Sequence, residues 1–144
     1  GKYIDDLSSS NPSSKYKDII TKENIKDRKH HIHMNGREVF KHAVRRFKEV
    51  ILEGLDYNNL SVDDVNMLIP HQANYRISQT VQKQLDIDQD KVFSNIHNYG
   101  NTTAASIGIA LSEALEQNKI NKGDIVVLAS FGAGFQWGSV IIKW

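Results

Sequence analysis

The sequence predicts a layered α/β fold, and three observations predict it. Apolar runs of strand length alternate with stretches of helical periodicity. The run Val65–Ile69 is continuous, like a buried parallel strand, and Pro70 closes it. With 144 residues, 40% hydrophobic content and mixed charges, the chain can bury the core of one domain.

The elements follow in order. Residues 1–33 read as a polar connecting region: Ser8 to Ser14 has a loop composition, Lys22 to Lys29 is charged without apolar periodicity, and a helical turn is expected near Tyr16–Ile20. His31 to Met34 is a short strand leading into the turn Asn35-Gly36. Val39, Phe40, Ala43, Val44, Phe47, Val50 and Ile51 recur at three- and four-residue steps, a helix that Gly54 or Asn58-Asn59 ends. After the strand Val65–Ile69, Asn74 can cap a second helix with Ile77, Val81 and Leu85 four apart. Val92–Ile96 is a further strand. Thr102 to Gln117 is a third helix, whose small residues imply close burial against its neighbours. Ile125–Phe131 and Phe135–Trp144 are strands joined by a tight Gly-containing connection, and so antiparallel. The division expected is 1–33 and 34–144.

Charge and composition exclude several classes. Eighteen basic and 17 acidic residues leave no global field for nucleic acid. No apolar run approaches the ~20 residues that cross a bilayer, and the N-terminus has no signal-peptide pattern. The chain has no cysteine, so it has neither disulfides nor cysteine-ligated metal, which is compatible with a reducing cytosol. Between Lys26 and Lys48 lie eight Lys or Arg against two acids, either a solvated helix face or a surface for an acidic partner. His30-x-x-His33 is the nearest approach to a metal spacing and lacks acidic or cysteine partners, so no metal is expected.

Two segments carry chemistry. Leu68-Ile69-Pro70-His71-Gln72-Ala73-Asn74 places a histidine just beyond the carboxyl end of a buried strand, where open α/β sheets gather their sites. Asn98-Tyr99-Gly100-Asn101-Thr102-Thr103-Ala104-Ala105-Ser106 places an asparagine at a second turn. Taken separately, His71 is a packed or capping residue and Asn101 a turn residue. Together they can present two neutral N–H donors to one oxygen, which stabilises the charge that builds on a thioester oxygen as an enolate forms. Gly132-Ala133-Gly134 is either a plain hairpin or a place where backbone N–H groups approach a substrate oxygen. With no cysteine here, any thiol nucleophile must come from other polypeptide.

From about Met34 to Trp144 the chain resembles the C-terminal half of the β-ketoacyl-acyl-carrier-protein synthase III family. The resemblance rests on Met34-Asn35-Gly36-Arg37-Glu38-Val39-Phe40-Lys41, the two segments above, and Ala129-Ser130-Phe131-Gly132-Ala133-Gly134-Phe135-Gln136-Trp137-Gly138-Ser139. It implies half of a thiolase-like fold, with a mixed five-stranded sheet and packed helices, in a cytoplasmic, usually homodimeric enzyme. It further implies an acyltransferase catalysing decarboxylating Claisen condensation of an acyl-CoA primer with malonyl-acyl-carrier protein, initiating fatty-acid synthesis. The nucleophilic cysteine would come from an N-terminal half. Without that half this chain is expected to be inactive. No cofactor is implied, coenzyme A entering as a substrate thioester.

His71 and Asn101 match the family's catalytic His and Asn. Phe131 matches the apolar wall beside the malonyl carboxylate, and Ala133 stands where many relatives have glycine, its N–H serving the acyl oxyanion. Gly36, Phe40, Ala73 and Asn74 match positions lining the pantetheine tunnel, Asn74 alternatively being only a helix cap. Lys41, Gln72, Arg76 and Lys83 match the surface that receives acyl-carrier protein. Two alternatives stand beside this reading. One is a related condensing enzyme for polyketide, alkylquinolone or long-chain ketone synthesis; the other is a non-catalytic half-domain that binds a carrier protein.

Overall fold

Burial of every side chain in Met67–Pro70 makes that strand the axis of the larger part of the molecule. The computed structural model describes residues 2–12, 14 and 17–144. They fall into two compact units, one of residues up to Lys41 with Gly132–Gln136, the other of His42–Phe131 with Trp137–Trp144.

In the first unit, strand β1 (Leu7–Ser8) pairs antiparallel with β2 (His33–Met34), Leu7 opposite Met34. Asn35 fastens the pair, its N–H donating to the Asp6 carbonyl at 2.8 Å and its carboxamide to the Asp6 carboxylate at 3.1 Å. Helix α1 (Lys22–Lys26) was not expected from its charged sequence. A reciprocal cap supports it, Thr21 Oγ1 accepting from the Asn24 N–H and Asn24 Oδ1 from the Thr21 N–H. Of the turn expected near Tyr16–Ile20, Tyr16 lies outside the described residues, and residues 17–20 form a bend instead of a helix. Tyr3 stacks on Phe135, ring centres 4.8 Å apart.

The second unit is a sheet between helices. Helix α2 (Gly36–Tyr57) enters it from the first unit and buries Ala43, Val44, Phe47, Ile51 and Leu55 along one stripe. Strand β3 (Met67–Pro70) runs parallel to β4 (Ile125–Gly132), Met67 opposite Val126 and Pro70 opposite Ala129, and β5 (Gln136–Lys143) lies on the far side of β4. Only three residues join β4 to β5, so the two are antiparallel, because a parallel pair needs a crossover. Helix α3 (Tyr75–Leu85) turns Ile77, Val81 and Leu85 inward, as its spacing predicts. Helix α5 (Ala105–Glu116) sets Ala110 and Ala114 against Met67, Ile69 and Val126, with Ile142 of β5 joining. On the opposite face the Ser139 hydroxyl donates to the Val50 carbonyl of α2 at 2.7 Å. A Cβ on Gly54 would lie 2.7 Å from that hydroxyl. Gly54 is therefore where helix and sheet touch, not where the helix ends. The end falls at Asn58-Asn59, where Asn59 takes a left-handed φ of +54°.

Three expectations change. The main sheet has three strands among the described residues, not five. Val92–Ile96 contributes one parallel bridge, Leu68 to Val92, before the chain turns into α4 (Ile96–Tyr99). Gln72 Oε1 accepts the Asn95 N–H, diverting that donor from a ladder, and the Ser94 hydroxyl donates to the same oxygen. Finally, α5 buries only Ser106, Ala110 and Ala114, while Ala104, Ala105 and Gly108 are exposed. No helix among the described residues is long and apolar enough to cross a membrane.

Candidate active site

His71 sits one residue beyond β3, its N–H donating to the Ala129 carbonyl of β4 at 2.8 Å. That bond fixes the backbone at the carboxyl ends of two parallel strands. Its side chain is half-buried, and Nδ1 lies 2.5 Å from the Ser106 hydroxyl in the first turn of α5. Ser106 Oγ also accepts the Gln72 N–H at 3.2 Å. Burial holds the imidazole below its ordinary pKa of 6.5, so the ring is neutral at pH 7.

Asn101 is exposed in the loop that enters the same helix. Its Oδ1 accepts the Thr103 N–H at 2.9 Å, which leaves the carboxamide NH₂ with no partner among the described residues. Thr103 itself adopts φ +54°, unusual for a β-branched residue. Glu113 of α5 steadies this loop. Its carboxylate accepts the Asn95 amide at 2.9 Å and the Tyr99 hydroxyl, gripping both ends of α4. Those bonds, Tyr99 first, hold the Glu113 carboxyl below the usual range, and the same carboxylate pushes the Tyr99 phenol up. His71 and Asn101 are thus both tied to the N-terminal end of α5, one through Ser106 and one through the chain itself.

The remaining candidates divide as follows. Phe131 is buried two residues past Ala129. Ala73 is exposed in the turn after His71. Asn74 is the N-cap of α3, its Oδ1 accepting the Arg76 N–H at 3.0 Å. Arg76 and Lys83 are exposed and two turns apart on α3, hence on one face. In the other unit Gly36 is exposed, with nothing within 4 Å of a Cβ placed on it; Phe40 is half-buried; and Lys41 is exposed, 3.9 Å from Glu38. Ala133 keeps a negative φ, so alanine is unstrained there; the left-handed backbone falls on Gly134, at φ +133°.

Gln72 is a correction. It was expected on a carrier-binding surface, yet it is 2% exposed, its amide donating to the Pro70 carbonyl and its oxygen accepting from Ser94 and Asn95. Such a side chain has nothing to offer a partner. Ser106 and Glu113 were missed in turn. The four-residue step Ser106, Ala110, Ala114 carried the signal, since it puts a hydroxyl on a buried stripe where it must find partners.

The fold and site define a class: the C-terminal half of a thiolase-like α/β fold. The pattern of the family described as 3-oxoacyl-(acyl-carrier-protein) synthase III C terminal matches residues 55–144, and the chain belongs to that family. It is 48% identical over 124 residues to a β-ketoacyl-acyl-carrier-protein synthase III of Roseiflexus castenholzii, covering 86% of this chain and 38% of the relative. The crystal structure of a 3-oxoacyl-acyl-carrier-protein synthase III from Aquifex aeolicus superposes with a TM-score of 0.85 at 38% identity, over all of this chain and 41% of that one. A priming β-ketosynthase of a polyketide biosynthetic pathway gives 0.80 at 26% identity, over 99% of this chain and 42% of that one. The chain thus spans about two-fifths of the length of these relatives.

Proposed function

We propose that these 144 residues form the enolate-stabilising half of a β-ketoacyl-acyl-carrier-protein synthase III, residues 34–144 being that half and 1–33 a connecting region. The observation that carries the reading is the tethering of a neutral His71 and an Asn101 with a free NH₂ to one end of α5. Two fixed neutral donors suit an oxygen that gains charge during reaction, and they cost little reorganisation when it does.

In the reaction proposed, a cysteine thiolate outside these residues takes the acyl group from acyl-CoA. Malonyl-acyl-carrier protein loses carbon dioxide, and His71 and Asn101 donate to the thioester oxygen of the resulting enolate. The enolate carbon attacks the acyl-cysteine carbonyl, and the thiolate leaves. Phe131 provides an apolar wall that disfavours the malonyl carboxylate. The Ala133 N–H serves the acyl oxyanion. Gly36, Phe40 and Ala73 contact the pantetheine arm, as does the Asn74 NH₂ that capping leaves free. Lys41, Arg76 and Lys83 meet an acidic carrier protein and set association rate more than affinity. The complete protein is a cytoplasmic homodimer that needs no resident cofactor. The likeness to a priming β-ketosynthase favours one second reading, in which the same chemistry starts a polyketide.

The test separates the half-reactions in protein that supplies both this chain and the cysteine-bearing part. His71→Ala and Asn101→Ala should each lower malonyl decarboxylation by ~10²–10³, while acyl loading from acyl-CoA changes by less than about tenfold. Equal loss of both half-reactions overturns the assignment.

A further inference from the structure

The Ser106 hydroxyl stands between two groups of the strand end, and its hydrogen bonds allow only one consistent arrangement. It is 2% exposed, so water is not an available partner. Among the described residues its Oγ has two contacts, the Gln72 N–H at 3.2 Å and His71 Nδ1 at 2.5 Å. The Gln72 N–H can only donate, so it occupies one Oγ lone pair. If His71 Nδ1 carried a proton, it would take the other lone pair, and the hydroxyl hydrogen would be buried without an acceptor. Leaving a buried donor unpaired costs on the order of 1–3 kcal/mol. If Nδ1 is bare, the hydroxyl donates to it and every group is satisfied.

We infer that Ser106 is a positioning residue: by donating to Nδ1 it fixes His71 as the tautomer with its proton on Nε2, the nitrogen facing away from α5. This rests on the role proposed above for His71, and it explains how a histidine comes to act there as a committed donor. A ring free to exchange tautomers would offer Nε2 as a lone pair part of the time, repelling an oxygen instead of binding it. The same bond opposes the doubly protonated ring, because the hydroxyl would have to surrender its only acceptor. It therefore acts in the same direction as the burial that depresses the ring's pKa. The Gln72 N–H completes the device by holding the serine oxygen still.

The experiment is a long-range ¹⁵N–¹H correlation of the imidazoles in ¹⁵N-histidine-labelled protein supplying both this chain and the cysteine-bearing part. His71→Gln assigns the signal. The expected spectrum shows Nδ1 unprotonated and Nε2 protonated, and it persists as pH falls through 6.5. Ser106→Ala should mix the tautomers, move the acid limb of malonyl decarboxylation to higher pH, and lower its kcat about tenfold. That is less than the ~10²–10³ for losing a donor outright, with KM little changed; Ser106→Thr, which keeps the hydroxyl, should restore the tautomer and the pH profile. A protonated Nδ1 in the unsubstituted protein overturns the inference. So does Ser106→Ala that loses stability alone, with tautomer and pH profile unmoved. If the alanine variant does not fold, the unsubstituted spectrum decides. The readout does not depend on turnover: the expected tautomer together with unimpaired decarboxylation by His71→Ala would refute the functional role and leave the hydrogen-bond assignment standing.

Discussion

At the scale of single residues, the site is governed by which atom of a side chain is already occupied. Asn101 spends its oxygen on the Thr103 N–H and keeps its two donors, and Asn74 does the same at the cap of α3. His71 is neutral because burial penalises its charged form. A histidine whose folded pKa lies below its unfolded value binds fewer protons folded than unfolded. Its contribution to stability is present above pH 6.5 and is lost as pH falls through the lower, folded value. Activity should follow the same titration. A pH–rate profile of malonyl decarboxylation is expected to stay flat as pH drops through 6.5 and to fall only beneath it; an acid limb above 6.5 would contradict a depressed imidazole. Thr103 is a second residue-scale test. Its left-handed backbone costs about 1 kcal/mol for a β-branched side chain, and asparagine tolerates that region better. Thr103→Asn should raise stability by about 0.5–1 kcal/mol in denaturant unfolding. Destabilisation would mean that the threonine side chain makes a contact it is not now assigned.

At the scale of elements, Gln72 joins the end of β3 to the approach of α4, and its replacement should report on that joint. Gln72→Ala strands the Asn95 N–H and the Pro70 carbonyl and opens a cavity, so a loss of about 2–4 kcal/mol is expected, seen as a lower urea midpoint at unchanged slope. A loss below about 0.5 kcal/mol would return Gln72 to the class of surface residues. The same joint shows where sequence reading succeeds and fails. Helices α2 and α3 are legible because their apolar stripes recur at helical steps, and β3 because a continuous apolar run marks a strand buried on both faces; the apolar run of β4 is likewise a strand, though only β3 is buried throughout. Val92–Ile96 has the right residues for a strand, yet its donors are taken by a glutamine more than 20 positions earlier, a competition no local pattern records. Gly54 likewise reads as a helix end until the Ser139 hydroxyl is seen against it. His71 and Asn101 are proposed from their segments, whereas the link through Ser106 is visible only in the folded chain.

At the scale of the whole molecule, α5 is apolar on more than the side it buries. Ala104, Ala105 and Gly108 are exposed, and nothing lies within 4 Å of a Cβ added at Gly108. That exposed side carries only small residues through Gly108, before Ser112 and Glu116 make it polar, so another backbone can approach the start of the helix closely. In the function proposed, the cysteine-bearing part covers it. Gly108→Leu should then fold as before but weaken association with that part by at least tenfold, about 1.4 kcal/mol, in a pull-down or titration. Undiminished association would place the contact elsewhere. In the function proposed, the exposed side of α5 and the thiol nucleophile belong to one assembly, made by this chain together with the cysteine-bearing part.

The most direct test is a crystal structure of that assembly holding a malonyl thioester analogue that cannot decarboxylate. The thioester oxygen should lie about 2.7–3.2 Å from both His71 Nε2 and the Asn101 amide nitrogen. An oxygen bound by other groups, with imidazole and carboxamide directed at different points, would contradict the account.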